Sequence, residues 1–156
     1  MKTIMKKEIN TQITIYAPAQ EIWNILLDFE KYSEWNPFIT IIKGTPKVGN
    51  DICVTITPPE SNKMTFSPTI LSYIPNKEFI WKGKVLIPGL FDGKHIFEIK
   101  DNGDGSTTFI QREEFSGIFV RFFNPNKTKE GFILMNKLLK VRAESNKKLN
   151  PQLEFH

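Results

Sequence analysis

Between Phe38 and Phe115 the chain is cut repeatedly by Gly, Pro, Asn and Asp, and between the cuts apolar and polar residues alternate. A period of two belongs to half-buried strands. Strands joined by such short turns run antiparallel to their neighbours, because a parallel pair needs a long crossover. A sheet with one polar face must bury the other under something. One segment is long enough, from about Thr128 to Leu149, where Phe132, Met135, Leu138, Leu139 and Arg142 fall along one side of a helix. A curved antiparallel sheet closed by that helix is the architecture these features require.

The remaining pieces fit around it. Lys7 to Tyr16 places Ile9, Thr11, Ile13 and Ile15 on one face of a strand, with Glu8, Asn10, Gln12 and Thr14 on the other. Pro18 ends that strand and suits the first turn of a helix. Ile22, Ile25, Leu26 and Phe29 then recur at helical spacing within Glu21 to Phe29, and Lys31 to Pro37 reads as a second short helix or tight turn. Further strands are expected at Phe38–Lys43, Asp51–Thr57, Met64–Ile74, Glu78–Val85, Lys94–Lys100 and Thr107–Phe115. Within Met64–Ile74, Pro68 demands an edge position or a bulge. The run DNGDGS at 101–106 is the clearest turn. The expectation is an α+β fold in β-α-α-β6-α order, about seven strands in all. It forms one domain over residues 1–156, with its core from about 7 to 149.

Charge and cysteine usage exclude several classes. The net charge of +4 would suit nucleic acid. However, Lys137, Lys140, Arg142, Lys147 and Lys148 alternate with apolar positions, as on a solvated helix face, and no nucleic-acid motif accompanies them. A single cysteine, Cys53, excludes an internal disulfide and reads as a half-buried strand residue rather than a nucleophile. The start MKTIMKKEINTQ lacks the apolar run of a signal peptide, and no stretch approaches the roughly 20 apolar residues that span a bilayer. A cytoplasmic protein, without nucleic acid and without stable membrane insertion, is expected.

Strand parity points to a site. On Lys94–Lys100, Lys94, Ile96, Glu98 and Lys100 share the charged face, so His95, Phe97 and Ile99 should point inward. On Thr107–Phe115, Phe109, Gln111, Glu113 and Phe115 share the face that two phenylalanines mark as inward. If the turn pairs Ile99 with Phe109, Phe97 lies opposite Gln111 and His95 opposite Glu113. Two readings of that polar island stay open. Glu113 orients His95 as a general acid/base or ligand anchor, or the two simply satisfy each other as buried polar groups must. No nucleophile motif, metal cluster or phosphate loop accompanies them, and the other histidine is His156, so neither a metal nor a cofactor is implied.

The 13 Phe, 3 Trp and 3 Tyr supply the surroundings. Trp81 shares a face with Phe79 as a candidate cavity wall, with Trp35 and Phe38 at the entrance and Phe132 and Met135 facing in from the helix. Plain core packing is the competing reading for each aromatic. The apolar loop from Leu86 to Gly93, with Leu86, Ile87, Leu90 and Phe91, suits a lid together with Phe119 to Phe123. It equally suits a homodimer contact or a membrane-touching patch.

Two segments carry a resemblance. Ala17-Pro18-Ala19-Gln20-Glu21-Ile22-Trp23 resembles an "APxxxVW" opening, and Phe29 to Phe38 (FEKYSEWNPF) resembles an "F..Y..WNPF" segment, both of the SRPBCC superfamily. That helix-grip superfamily includes START, polyketide cyclase/dehydrase and birch-pollen-allergen-like proteins. Pro88-Gly89-Leu90-Phe91-Asp92-Gly93 and Glu114-Phe115-Ser116-Gly117 resemble segments of a bacterial branch of it. The resemblance spans about Ile9 to Ala143 and implies a cavity between sheet and helix. In such families the cavity binds lipids, hormones or polyketides, and a minority of members catalyse cyclisation or dehydration. The expected function is carriage of a small hydrophobic molecule with a polar group. The alternatives are a cyclase or dehydratase using His95 and Glu113, and a membrane-associated lipid-transfer module.

Overall fold

The computed structural model describes residues 5–84 and 91–149. In chain order its elements are β1 (Lys6–Ile15), α1 (Ala19–Leu27), a 3₁₀ turn (Phe29–Lys31), α2 (Tyr32–Trp35), β2 (Ile39–Lys43), β3 (Cys53–Ile56) and β4 (Met64–Phe66). Then follow β5 (Thr69–Ile74), β6 (Glu78–Lys84), β7 (Asp92–Asp101), β8 (Thr107–Ser116), a 3₁₀ turn (Val120–Phe122) and α3 (Asn126–Leu149). The strands form a five-stranded sheet, β1-β8-β7-β6-β5, and a three-stranded sheet, β2-β3-β4. Every pairing is antiparallel. Helix α3 covers the inner face with Phe132, Met135, Leu139 and Ala143, all buried.

One expected strand, Met64–Ile74, is two. Ser67 and Pro68 part β4 from β5, each an edge strand of its sheet. Proline has no N–H to give a ladder, so a central strand cannot run through it. Its carbonyl still accepts a hydrogen bond from Ile52 N–H at 2.9 Å, and the Asp51–Thr69 bridge continues the seam between the two sheets. Arg142 also departs from expectation: its guanidinium turns outward to Glu34, 3.0 Å away.

The segment FEKYSEWNPF docks the two short helices. Phe29, Tyr32, Trp35 and Phe38 are all buried. The Tyr32 hydroxyl donates to the Leu26 carbonyl. Full burial pushes its pKa far above the usual phenol range, so it stays a neutral donor. Asn36 Oδ1 accepts from the backbone N–H groups of Phe38, at 3.0 Å, and Ile39, at 2.9 Å, bending the chain into β2. Asn36→Ala leaves both buried donors unpaired and should destabilise the fold by about 1–3 kcal/mol, read from the denaturation midpoint.

The DNGDGS turn fixes the register on which the site depends. Gly103 and Gly105 take φ of +79° and +88°. Asp101 Oδ1 accepts from Gly103 N–H at 2.8 Å, and Asp104 Oδ1 from Ser106 N–H at 2.9 Å. These local bonds close the β7–β8 hairpin. No described helix is long and apolar enough to cross a membrane.

Candidate functional site

Across the hairpin Ile99 faces Phe109, Phe97 faces Gln111 and His95 faces Glu113. On β6 the partner of His95 is Trp81. Because side chains alternate along a strand, this register turns His95, Gln111 and Glu113 to the inner face together. Ile96 on the opposite face is also buried, between its cross-strand partners Ile80 and Arg112. The Arg112 guanidinium sits 2.7 Å from Glu98, 3.3 Å from Glu114 and 3.8 Å from Glu8.

The inward groups form one chain of hydrogen bonds. His95 Nδ1 lies 3.2 Å from Glu113 Oε2, and His95 Nε2 lies 3.0 Å from Gln111 Oε1. Gln111 Nε2 donates to Asn136 Oδ1 on α3 at 2.8 Å, and more weakly to the Phe132 carbonyl at 3.5 Å. Asn136 Nδ2 donates to Thr11 Oγ1 at 3.0 Å, and the Thr11 hydroxyl donates to the Gln111 carbonyl at 2.7 Å. His95, Gln111, Asn136 and Thr11 are 3%, 0%, 3% and 8% exposed. The chain therefore runs through the core from β8 across α3 to β1 and opens to the cavity at Glu113. Aromatic rings enclose the imidazole, with Trp81, Phe97 and Phe132 centroids 4.9, 4.4 and 4.9 Å from its own.

Beside this pair is a cavity of about 240 Å³. Of the residues expected at the cavity, Phe38, Trp81, His95, Glu113 and Phe115 line it, joined by Phe91 from the apolar loop before β7. Ile39, Ile56, Met64, Phe66 and Phe123 add to its apolar wall. Trp35, Phe79, Phe97, Phe109, Gln111, Phe132 and Met135 are buried and are not among the residues that line it, although Phe97, Gln111 and Phe132 touch His95. Phe38 packs on Phe132 at 5.4 Å and Phe97 stacks on Phe109 at 6.0 Å, in the core that the helix covers. Leu86, Ile87 and Leu90 lie outside the described residues. Phe91 packs against Phe115 and Phe123, at 5.7 and 5.2 Å. From the aromatic segment after β8, Val120 turns inward, whereas Ile118, Phe119 and Phe122 are exposed.

Thr11 and Asn136 are members of the network that the site reading did not name. Asn136 was within reach, since it lies one turn beyond Phe132 on the same helix face. Thr11 already stood on the inward face of its strand. A polar residue on an apolar face is the informative exception.

Gly93 gives Glu113 its room. A Cβ there would lie 2.7 Å from Glu113 Oε1. The carboxylate is the end of a flexible side chain and can move aside. Gly93→Ala should therefore leave stability within about 1 kcal/mol but weaken binding of a neutral cavity ligand about fivefold or more, by titration with Nile red. Cys53 is half-buried in β3 and is not among the cavity-lining residues. Among the described residues no group of three or more His, Cys, Asp or Glu is placed to hold a metal ion.

Residues 6–140 match the model of a family described as polyketide cyclase / dehydrase and lipid transport. Among solved structures, a Chromobacterium violaceum protein is 17% identical, with a TM-score of 0.69 over 88% of this chain and 96% of its own. Norcoclaurine synthase from Thalictrum flavum, solved with dopamine and hydroxybenzaldehyde, is 13% identical, with a TM-score of 0.70 over 91% and 88%. The Zhui aromatase/cyclase from a Streptomyces species is 12% identical, with a TM-score of 0.66 over 90% and 94%. At these identities the likeness speaks for the fold. No curated protein matches the sequence.

Proposed function

The chain belongs to the polyketide cyclase / dehydrase and lipid transport family, and on that premise we propose that it binds and carries a small, mostly apolar molecule. The observation that carries the reading is a cavity walled by Phe38, Phe66, Trp81, Phe91, Phe115 and Phe123, with His95 and Glu113 as its inner polar point. Apolar surface moved into such a wall gains about 25 cal/mol per Å², less the cost of association. The polar point fixes orientation. A cytoplasmic setting suits a chain with one cysteine.

The test is Nile red binding followed by its emission. Ile56→Trp grows a bulky ring into the cavity and should weaken binding about tenfold or more while the circular dichroism spectrum stays unchanged. Equal affinity in the filled variant contradicts the reading.

A second reading is an enzyme of cyclase or dehydratase type, favoured by the 3.2 Å contact of His95 with Glu113 at the cavity. In it His95 exchanges a proton with the bound molecule and Glu113 orients the ring. A variant such as His95→Phe would then keep ligand affinity and lose turnover.

A further inference from the structure

The hydrogen-bond chain behind the cavity has a direction, and that direction says which chemistry the cavity accepts. Amide and imidazole orientations follow from the network around them, and here two backbone carbonyls are fixed acceptors. The Thr11 hydroxyl spends its proton on the Gln111 carbonyl, so Thr11 Oγ1 can only accept from Asn136 Nδ2. Asn136 then offers Oδ1 to Gln111, whose Nε2 donates both there and to the Phe132 carbonyl. Turning the Gln111 amide over would set its oxygen against both acceptors. Gln111 therefore presents Oε1 to His95, and His95 Nε2 must carry a hydrogen.

With Nε2 as a donor, a neutral imidazole would aim the bare lone pair of Nδ1 at Glu113 Oε2, 3.2 Å away. Two lone pairs do not face each other at that distance without a proton between them. The pair holds that proton either as imidazolium and carboxylate or as imidazole and carboxylic acid. In both distributions Oε1, the other oxygen of Glu113, has only lone pairs to offer. Oε1 stands over Gly93, which lines the cavity together with Glu113. Among the described residues no donor reaches it. Lys127 is the cation among the described lining residues, and it is already held by Glu60 at 2.6 Å and Glu130 at 3.8 Å.

We infer that the cavity's ligand is a ring compound carrying a hydroxyl donor and no carboxylate, with its hydroxyl on Glu113 Oε1. Aromatic walls select the ring, the lone pairs of Oε1 select a donor, and a carboxylate placed at Oε1 would set oxygen lone pairs against oxygen lone pairs with no proton between them. Gln111, Asn136 and Thr11 act here as positioning residues, since they reach the ligand only through His95 and Glu113.

This inference rests on the carrier reading, and three probes of one shape separate the two. Quenching of tryptophan emission is titrated at neutral pH with 2-naphthol, 2-methoxynaphthalene and 2-naphthoate. The naphthol is expected to bind about tenfold or more tightly than either of the others. In Glu113→Leu the preference over the ether should fall to about twofold. An ether or a carboxylate that binds the wild-type protein as tightly as the naphthol overturns the inference and leaves the carrier reading standing. Failure of all three to bind overturns both. A ¹⁵N spectrum of His95 reads the positioning separately: a hydrogen on Nε2 is expected, and a bare Nε2 with a hydrogen on Nδ1 overturns the inference.

Discussion

Phe38→Ala is expected to lower the free energy of unfolding by about 3–5 kcal/mol, seen as a lower denaturation midpoint with little change in slope. The ring is 1% exposed and joins the start of the small sheet to the long helix. It packs edge-to-face on Phe132 at 5.4 Å and lies against Gly131, where a Cβ would fall 2.3 Å from its Cδ2. Truncation therefore removes contact with sheet and helix at once. The converse substitution tests the same contact. Gly131→Ala favours the helix by about 1 kcal/mol in propensity, yet the clash with Phe38 should reverse the sign and cost about 1–3 kcal/mol. Combining it with Phe38→Leu makes room and should recover part of that loss. A stabilising Gly131→Ala would show that helix and ring do not meet as described.

Gln111→Leu should be nearly as damaging, about 2–5 kcal/mol, although the two side chains are close in size. The change leaves His95 Nε2–H and Asn136 Oδ1 without their partner, while the Phe132 carbonyl loses a weak second contact. Buried polar groups cost most when half a network is removed. A second substitution, Asn136→Leu, removes one of the orphans. The pair of changes should thus cost less than the sum of the singles, by about 1–3 kcal/mol in a double-mutant cycle. Additive losses would mean that the chain of bonds does not act as one unit. Ligand affinity gives an independent readout, because Gln111 Oε1 fixes the hydrogen on His95 Nε2 and so sets what Nδ1 presents to Glu113.

Much of this was legible in the chain itself. Alternation within each strand, together with the DNGDGS turn, sets the β7–β8 register, because a slip of one residue would turn Phe97 and Phe109 to solvent. Helical spacing finds Phe132, Met135 and Leu139 as the covering face. The cavity wall was less legible. Phe79, Phe97 and Phe109 share the inward face with Trp81 and Phe115, and strand parity cannot tell which inward ring meets the helix and which meets open space. That depends on where α3 crosses the sheet, a matter of three-dimensional packing. The break at Pro68 was visible as a constraint but not as two strands, since a bulge and a break satisfy proline equally.

The carriage of a small apolar molecule is tested most directly by native mass spectrometry of the full chain purified from the cells that make it. The prediction is a population heavier than the polypeptide by one small molecule, released by organic solvent and displaced by Nile red, and lost in Ile56→Trp. A bare polypeptide mass in repeated preparations, with no dye taken up by the same protein, would contradict it.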